Sequence, residues 1–351
     1  MQDVPPEAWS TVQNARFNEL GATAFSGHQE VFSPASITPL WLKQFPPVTI
    51  PIWVYANTAE VWTYAGGSHV EITRAAGDYN GDTTERWMGN VFNGLGIFNN
   101  TVDPPQLWGP MSTATQLVDL TNWPASYKCK FIRPYKNFLI AGGIYDGANQ
   151  LPFRLKWSHP AAPGTVPTSW DHTDPATDAG ERDLAGTSDY LVDGLILDEI
   201  FVVYRQFSTW GMRYVGPPDF FSTWPISEEA GILARDCMQA TPVGHIVLTR
   251  DDLVLHQGTG QSFASLLEHQ DRKTLFGLLN GTYFYNSFLV KNVPQREIWA
   301  CFPSVESVSG YANKAFVWSW AGGGHGFRDL PEVPFAYGGA SGVVGGEEAW
   351  G

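Results

Sequence analysis

The stretch "GLILDEIFVVYRQFSTWGMRYVG", residues 194–216, decides how this chain is read. Two apolar runs flank Asp198-Glu199, and a third follows a short polar break. Short apolar and aromatic runs bounded by turn formers read as β-strands. The same plan recurs on both sides of this stretch. "VTIPIWVYANTAEVWTYAGG" (48–67) turns at Asn57, "NVFNGLGIFNN" (90–100) at Asn93-Gly94, and "NFLIAGGIYDGANQLPFRLKWS" (137–158) at Asp146-Gly147. "GHIVLTRDDLVLHQG" (244–258) turns at Asp251-Asp252, and "REIWACFPSV…KAFVWSWAGG" (296–323) carries a longer loop. Dipeptides such as Asn-Gly and Asp-Gly are hairpin signals.

These units are anchored near Ile52, Val91, Phe138, Leu195, Ile246 and Ile298, at intervals of 39, 47, 57, 51 and 52 residues. A repeat of about 40–55 residues, with room for four strands, is the period of a propeller blade. One blade cannot bury both faces of its sheet. Several packed around an axis can, and a closed ring removes long exposed edges. The expected fold is an all-β, six-bladed β-propeller; five or seven blades, a pair of β-sandwiches and a jelly roll are the alternatives. The expected layout is an N-terminal hairpin arm with a lead-in strand (1–46), the propeller (47–335) and a glycine-rich tail (336–351). The best helical stretches, 227–240 and 265–279, hold no sustained 3.6-residue stripe.

Composition agrees with an all-β protein. Of 351 residues 43% are hydrophobic, 14% aromatic and 16% charged, with 36 Gly, 25 Pro and 15 Trp. The net charge of −14 argues against a nucleic-acid glove, which needs an excess of Lys and Arg. No run of about 18 apolar residues is present to cross a membrane, and the polar first twenty residues do not read as a signal peptide. Cys129, Cys237 and Cys301 are far apart and in no CxxC spacing, so they read as reduced, buried thiols.

Motifs for chemistry are weak. "RWMGNVFNG" (86–94) is similar to the Trp-Met-Asn-Asp-Pro-Asn-Gly signature of fructan-hydrolysing propellers, but Asn90 stands where the nucleophilic Asp should be. "DYNGDTTE" (78–85) spaces Asp78, Asn80 and Asp82 like a calcium loop, yet lacks the expected Gly and the bidentate Glu. An Asn80-Gly81 hairpin turn explains it equally well. The eight histidines form no HxH or HExxH pattern, and no Gly-x-Ser-x-Gly elbow or phosphate loop exists. Asp193, Asp198 and Glu199 lie beside apolar strands, as turn carboxylates commonly do. The expectation is a protein without catalytic, cofactor or metal-binding residues.

The N-terminal stretch then gains a reading. Trp9, Asn14, Arg16 and Phe17, followed by Gly27, resemble the Trp-x(4)-Asn-x-Arg-Phe hairpin that opens a family of short-tailed bacteriophage virion proteins. The resemblance continues through "FRLKWSHPAAPGTVPTSW" (153–170), "RDLAGTSDYLVDGLILDEIFVVYRQFSTWGMRYVG" (182–216) and "GHIVLTRDDLVLHQG" (244–258), in the family's order. It spans residues 5–330 and rests on pattern and order. The family is that of propeller-bearing nozzle, or DNA-stabilisation, proteins of the virion tail.

The resemblance implies a structural ring of six copies around the DNA exit channel. The partners would be other tail proteins and the portal or adaptor proteins, with genomic DNA passing through without specific binding. It places the protein in the virion tail after synthesis in the host cytoplasm, without membrane insertion. Trp9, Asn14, Arg16 and Phe17 are the candidate subunit contacts, with the hairpin either reaching a neighbour or closing its own ring. A neutral or acidic ring lumen is expected, because a basic one would hold phosphates. The competing classes are a carbohydrate-binding adhesin and a glycan-degrading tail propeller.

Overall fold

Each apolar run pairs with the next one along the chain, so the sheets are simple antiparallel meanders. The computed structural model describes residues 13–18, 21–25, 32–46, 51–186, 188–258, 263–331, 341–344 and 347–350, with the backbone only for 17, 18 and the last two segments. A two-stranded hairpin, β1 (Ala15–Asn18) and β2 (Gly21–Ala24), comes first. Blade 1 holds β3 (Trp41–Phe45), β4 (Ile52–Ala56), β5 (Val61–Ala65) and β6 (Ser68–Glu71). Blade 2 holds β7 (Met88–Phe92), β8 (Leu95–Asn99), β9 (Gln106–Trp108) and β10 (Val118–Asp119). Blade 3 holds β11 (Lys128–Tyr135), β12 (Phe138–Tyr145), β13 (Gln150–Trp157) and β14 (Gly180–Asp183). Blade 4 holds β15 (Leu191–Leu197), β16 (Ile200–Arg205), β17 (Thr209–Gly216) and β18 (Phe220–Ser227). Blade 5 holds β19 (Met238–Thr241), β20 (Gly244–Leu248), β21 (Leu253–His256) and β22 (Phe263–Ser265). A helix, α1 (His269–Leu278), leads to blade 6, with β23 (Phe288–Asn292), β24 (Glu297–Phe302), β25 (Lys314–Ser319) and β26 (His325–Asp329). The tail carries a hairpin of β27 (Ser341–Val344) and β28 (Glu347–Trp350).

Six four-stranded sheets in sequence order make a six-bladed propeller. The first strand of each blade is the axial one: β11 lies against β7 and β15, β19 against β15 and β23, and β3 against β7. Second strands are sandwiched between neighbouring blades, so β4, β16 and β24 are buried along their whole length. Their two faces feed different cores. Phe201 and Val203 pack towards blade 3, while Val202 and Tyr204 pack towards blade 5. Burying apolar surface on both sides at about 25 cal/mol per Å² is what holds such blades together.

Large rings lie over glycines on adjacent strands. Trp157 sits directly across from Gly180, and Trp224 across from Gly211. A Cβ at either glycine would stand 2.3 Å or 2.5 Å from the indole, so no other residue lets the ring lie flat.

Three expectations shift. The anchors Ile52, Phe138, Ile246 and Ile298 lie on second strands, while Val91 and Leu195 lie on axial ones. The propeller also starts at Trp41 rather than at 47, because β3 is paired with β4 in blade 1. Of the two helical stretches, 265–279 contains α1, whereas 227–240 holds the end of β18, a loop and the start of β19.

The ring closes between blades 6 and 1, and the N-terminal segment fills that seam. Asn14, at φ 58°, donates its backbone N–H to Phe327 O at 2.9 Å. Its side chain donates to Asp329 at 3.0 Å and accepts from the Asp329 N–H at 2.8 Å. Arg16 forms a two-point ion pair with Glu297, whose side chain is 2% exposed. Phe25 meets Trp299 edge-on at 5.6 Å, with Arg16 and Arg328 against its ring. Phe32 then packs on Trp53 and Tyr64 of blade 1. Ser33 and Tyr55 hold His69 by hydrogen bonds of 3.0 Å and 2.8 Å.

Removing Arg16 strands a buried carboxylate. Arg16→Met should therefore cost about 3 kcal/mol. Adding Glu297→Gln should recover part of that loss in a urea titration. Equal stability of Arg16→Met and the parent would show that the clasp contributes nothing.

Candidate functional site at the propeller axis

Axial strands converge, so polar side chains on them meet partners from other blades. Lys43 of blade 1 donates to Gly89 O of blade 2 at 2.6 Å. Asn90 of blade 2 donates to Ile132 O of blade 3 at 3.1 Å. Arg133 of blade 3 binds Asp193 of blade 4 through Nε at 2.9 Å and Nη2 at 2.6 Å. The same guanidinium reaches Asp236, just before blade 5, at 3.2 Å and Asn90 Oδ1 at 3.0 Å. Gln239 of blade 5 donates to Leu289 O, and Lys291 of blade 6 donates back to Ala240 O, both at 2.9 Å. Arg86, ahead of β7, crosses the axis to the carbonyls of Arg235, Tyr285 and Ser287 at 2.9–3.0 Å.

Two cavities open along this girdle. One of about 240 Å³ is lined by Lys43, Gln44, Arg133, Asp236, Gln239 and Lys291. The other, about 380 Å³, lies where the chain enters the axial strands, and its lining includes Glu85, Arg86, Lys130, Arg235, Arg250 and Tyr285. Glu85 sits between two cations, paired with Lys130 and with Arg235 at 3.3 Å.

Burial and neighbours set the axial charges. Burial and the adjacent Arg133 pull Lys43 down to about 8, against Asp236 and Asp193. Burial pushes the Asp236 carboxyl up, but Arg133, Arg86, Arg235 and Lys43 outweigh it and leave it below the usual carboxylate range. Burial opposes the charge of Arg133, and the two aspartates hold that charge in place. Arg133→Met would leave Asp193 uncompensated at 0% side-chain exposure, at an expected cost of about 3–5 kcal/mol in chemical unfolding. A loss below about 1 kcal/mol would contradict this account of the girdle.

A second buried polar cluster joins blades 4 and 5. Tyr204 OH lies 2.9 Å from His245 Nδ1 and 3.0 Å from His256 Nδ1. His245 Nε2 faces Ile196 O at 2.8 Å, so it carries the proton and Nδ1 accepts from Tyr204. The Tyr204 oxygen then accepts from His256 Nδ1–H, and His256 Nε2 is left without a partner. His256 stacks on Phe263 at 4.4 Å. Burial lowers both imidazoles to about 4. Their folded values lie below the ordinary 6.5, so their neutral forms stabilise the fold above that pH and the benefit is lost as pH falls towards 4. Stability should decline by ~1.4 kcal/mol per pH unit for each proton taken up on unfolding. His256→Leu should flatten that slope between pH 6.5 and 4, as read by urea midpoints; an unchanged slope would rule the cluster out.

The residues singled out from sequence are spread over the fold. Asn80 binds Asp103 through N–H and Nδ2, while Asp82 accepts from the Thr84 N–H and hydroxyl at 2.7 Å and 2.9 Å. The Asp78 carbonyl accepts from Arg74. These three do not converge, and among the described residues no cluster of His, Cys, Asp and Glu is placed to hold a metal ion. Asn14 and Arg16 are engaged on blade 6 of the same chain. Trp9 and the Phe17 side chain lie outside the described residues. Asp198 occupies the β15–β16 turn at φ 51°, and Glu199 pairs with Lys136 at 3.2 Å. Cys129, Cys237 and Cys301 are buried, and burial raises each thiol well above its ordinary value, Cys237 to about 12.

The cations at the axis escaped sequence reading. Arg86, Lys130, Arg133, Arg235 and Arg250 come from three blades, 2, 3 and 5, and share no local motif. Their signal is positional: they lie on or just before axial strands, or in an adjacent loop, and this shows only once the blades are in register.

No protein-family model and no curated protein matches the chain. Solved structures of similar shape include PorZ, an essential bacterial surface component of the type-IX secretion system of Porphyromonas gingivalis. It has a TM-score of 0.49 and 9% identity, over 88% of this chain and 34% of that one. This chain thus spans about a third of PorZ. The AfRom2 CNH domain has a TM-score of 0.45 at 9% identity, covering 87% of this chain and 84% of that one. Hsv2p of Kluyveromyces lactis has a TM-score of 0.42 at 8% identity, covering 84% and 83%.

Proposed function

We propose that this chain is a structural component of a short-tailed bacteriophage tail, forming a ring around the DNA exit channel. The supporting observation is the clasp. Asn14 and Arg16 carry the resemblance to the virion family, and in this fold they fasten the last blade. A residue pair kept for closing a module suits a protein whose work is shape. The buried axial carboxylates Asp193 and Asp236 are already held by Arg133, in keeping with a scaffold role.

In this reading the ring, of six copies, touches its neighbours through exposed apolar side chains and loops. Val293 (56% exposed), Val305 (60%) and Val308 (92%) are such side chains. Its partners are other tail proteins and the portal or adaptor proteins. DNA passes between the subunits, not through any one propeller. With a net charge of −14 per chain, the lumen guides DNA without gripping it. No helix among the described residues is long and apolar enough to cross a membrane.

Electron microscopy of the purified chain with its tail neighbours should show closed rings. Deleting 1–32 is a poor probe of assembly, because it also removes the clasp. Val305→Asp with Val308→Asp is better, and should abolish rings while leaving the melting temperature within a few degrees. A chain that stays monomeric in tail assemblies, or a ring that binds DNA tightly and salt-sensitively, would refute the proposal.

A further inference from the structure

We infer that the cavity of about 380 Å³ at the mouth of the propeller axis binds a small ligand carrying an oxyanion, a phosphate or a carboxylate. Its volume falls within the usual span of small-molecule pockets, about 300–1,000 Å³. Its charge runs against that of the chain. Arg86, Lys130, Arg235 and Arg250 line it with Glu85 as the sole carboxylate in the lining, in a protein of net charge −14. A local cationic cavity with partly apolar walls concentrates anions.

Donors are available within it. Arg235 is 5% exposed; its Nη1 donates to Lys130 O and its Nη2 to Glu85, and its Nε has no hydrogen-bond partner. A buried N–H without an acceptor is costly, and Arg235 carries this unspent donor in the cavity wall. Arg250 is held differently. It lies over the rings of Phe207 at 4.7 Å and Phe284 at 5.7 Å, and makes no ion pair among the described residues. Ring faces fix the guanidinium plane without occupying its N–H groups. Lys130, half neutralised by Glu85, supplies a third positive group. Tyr190 and Tyr285 give the lining flat apolar faces for the body of the ligand. The inference concerns this cavity alone and does not depend on ring assembly.

Calorimetric titration of the full chain at constant ionic strength tests it. The probes are inorganic phosphate, glucose 6-phosphate and glucuronate, with glucose as the neutral control. Saturable binding of at least one anion is expected, with none for glucose. Arg250→Gln should melt like the parent and weaken binding at least tenfold, and Lys130→Gln should do the same. Binding of the phosphates alone would assign a phosphate ligand, and binding of glucuronate alone a carboxylate. No saturable heat from any of the three, or an unchanged affinity in Arg250→Gln, would overturn the inference.

Discussion

Six axial strands meet around one line, and the polar groups they carry have nowhere to go but to one another. Arg133 is the centre of that constraint. Its guanidinium takes one carboxylate from blade 4 and a second from the approach to blade 5, and an amide from blade 2. A buried cation with this many partners permits one relative placement of the blades. Lys43, Asn90, Gln239 and Lys291 repeat the device with main-chain carbonyls as acceptors. Hydrophobic burial between blades supplies the bulk attraction, and the girdle supplies the register.

The seam between blades 6 and 1 is solved by other means. Among the described residues no strand is exchanged between the two blades. Instead Arg16 and Phe25 meet blade 6 through an ion pair and aromatic contacts, and Phe32 meets aromatic rings of blade 1. The segment at Gln13–Arg16 and blade 6 are thereby joined through side chains and one short bridge, Gln13 with Phe327.

What could be read from sequence follows from what each strand touches. Second strands such as IFVVYR in β16 are covered on both faces, so their composition is nearly uniform and their hairpins stand out. Axial strands such as WLKQF in β3 and MQAT in β19 carry the polar girdle, and β19 is only four residues long. They were therefore passed over, and four of six anchors fell one strand outward. The turns at Asn57, Asp146 and Asp251 were legible because their side chains or their neighbours bond the local backbone, as Asn57 Oδ1 does with the N–H of Ala59 and Glu60. The mouth cavity was not legible. It is built from Arg86, Lys130, Arg235 and Arg250, which only the ring brings together. Asn14 and Arg16 were noticed as a pattern, but their partners, Asp329 and Glu297, lie about three hundred residues away and left no local trace.

That distance governs the order in which the molecule can be made. Residues of the clasp leave the ribosome before any blade does, yet their seat on blade 6 exists only after Asp329 has been synthesised. At about 5–20 residues per second, five blades can stack while the ring is still open. During that interval Phe32 can already cover Trp53 of blade 1, but Phe25 and Arg16 have no seat, because Trp299 and Glu297 belong to blade 6. The blade made last among the described residues is thus the one that the earliest described residues must hold.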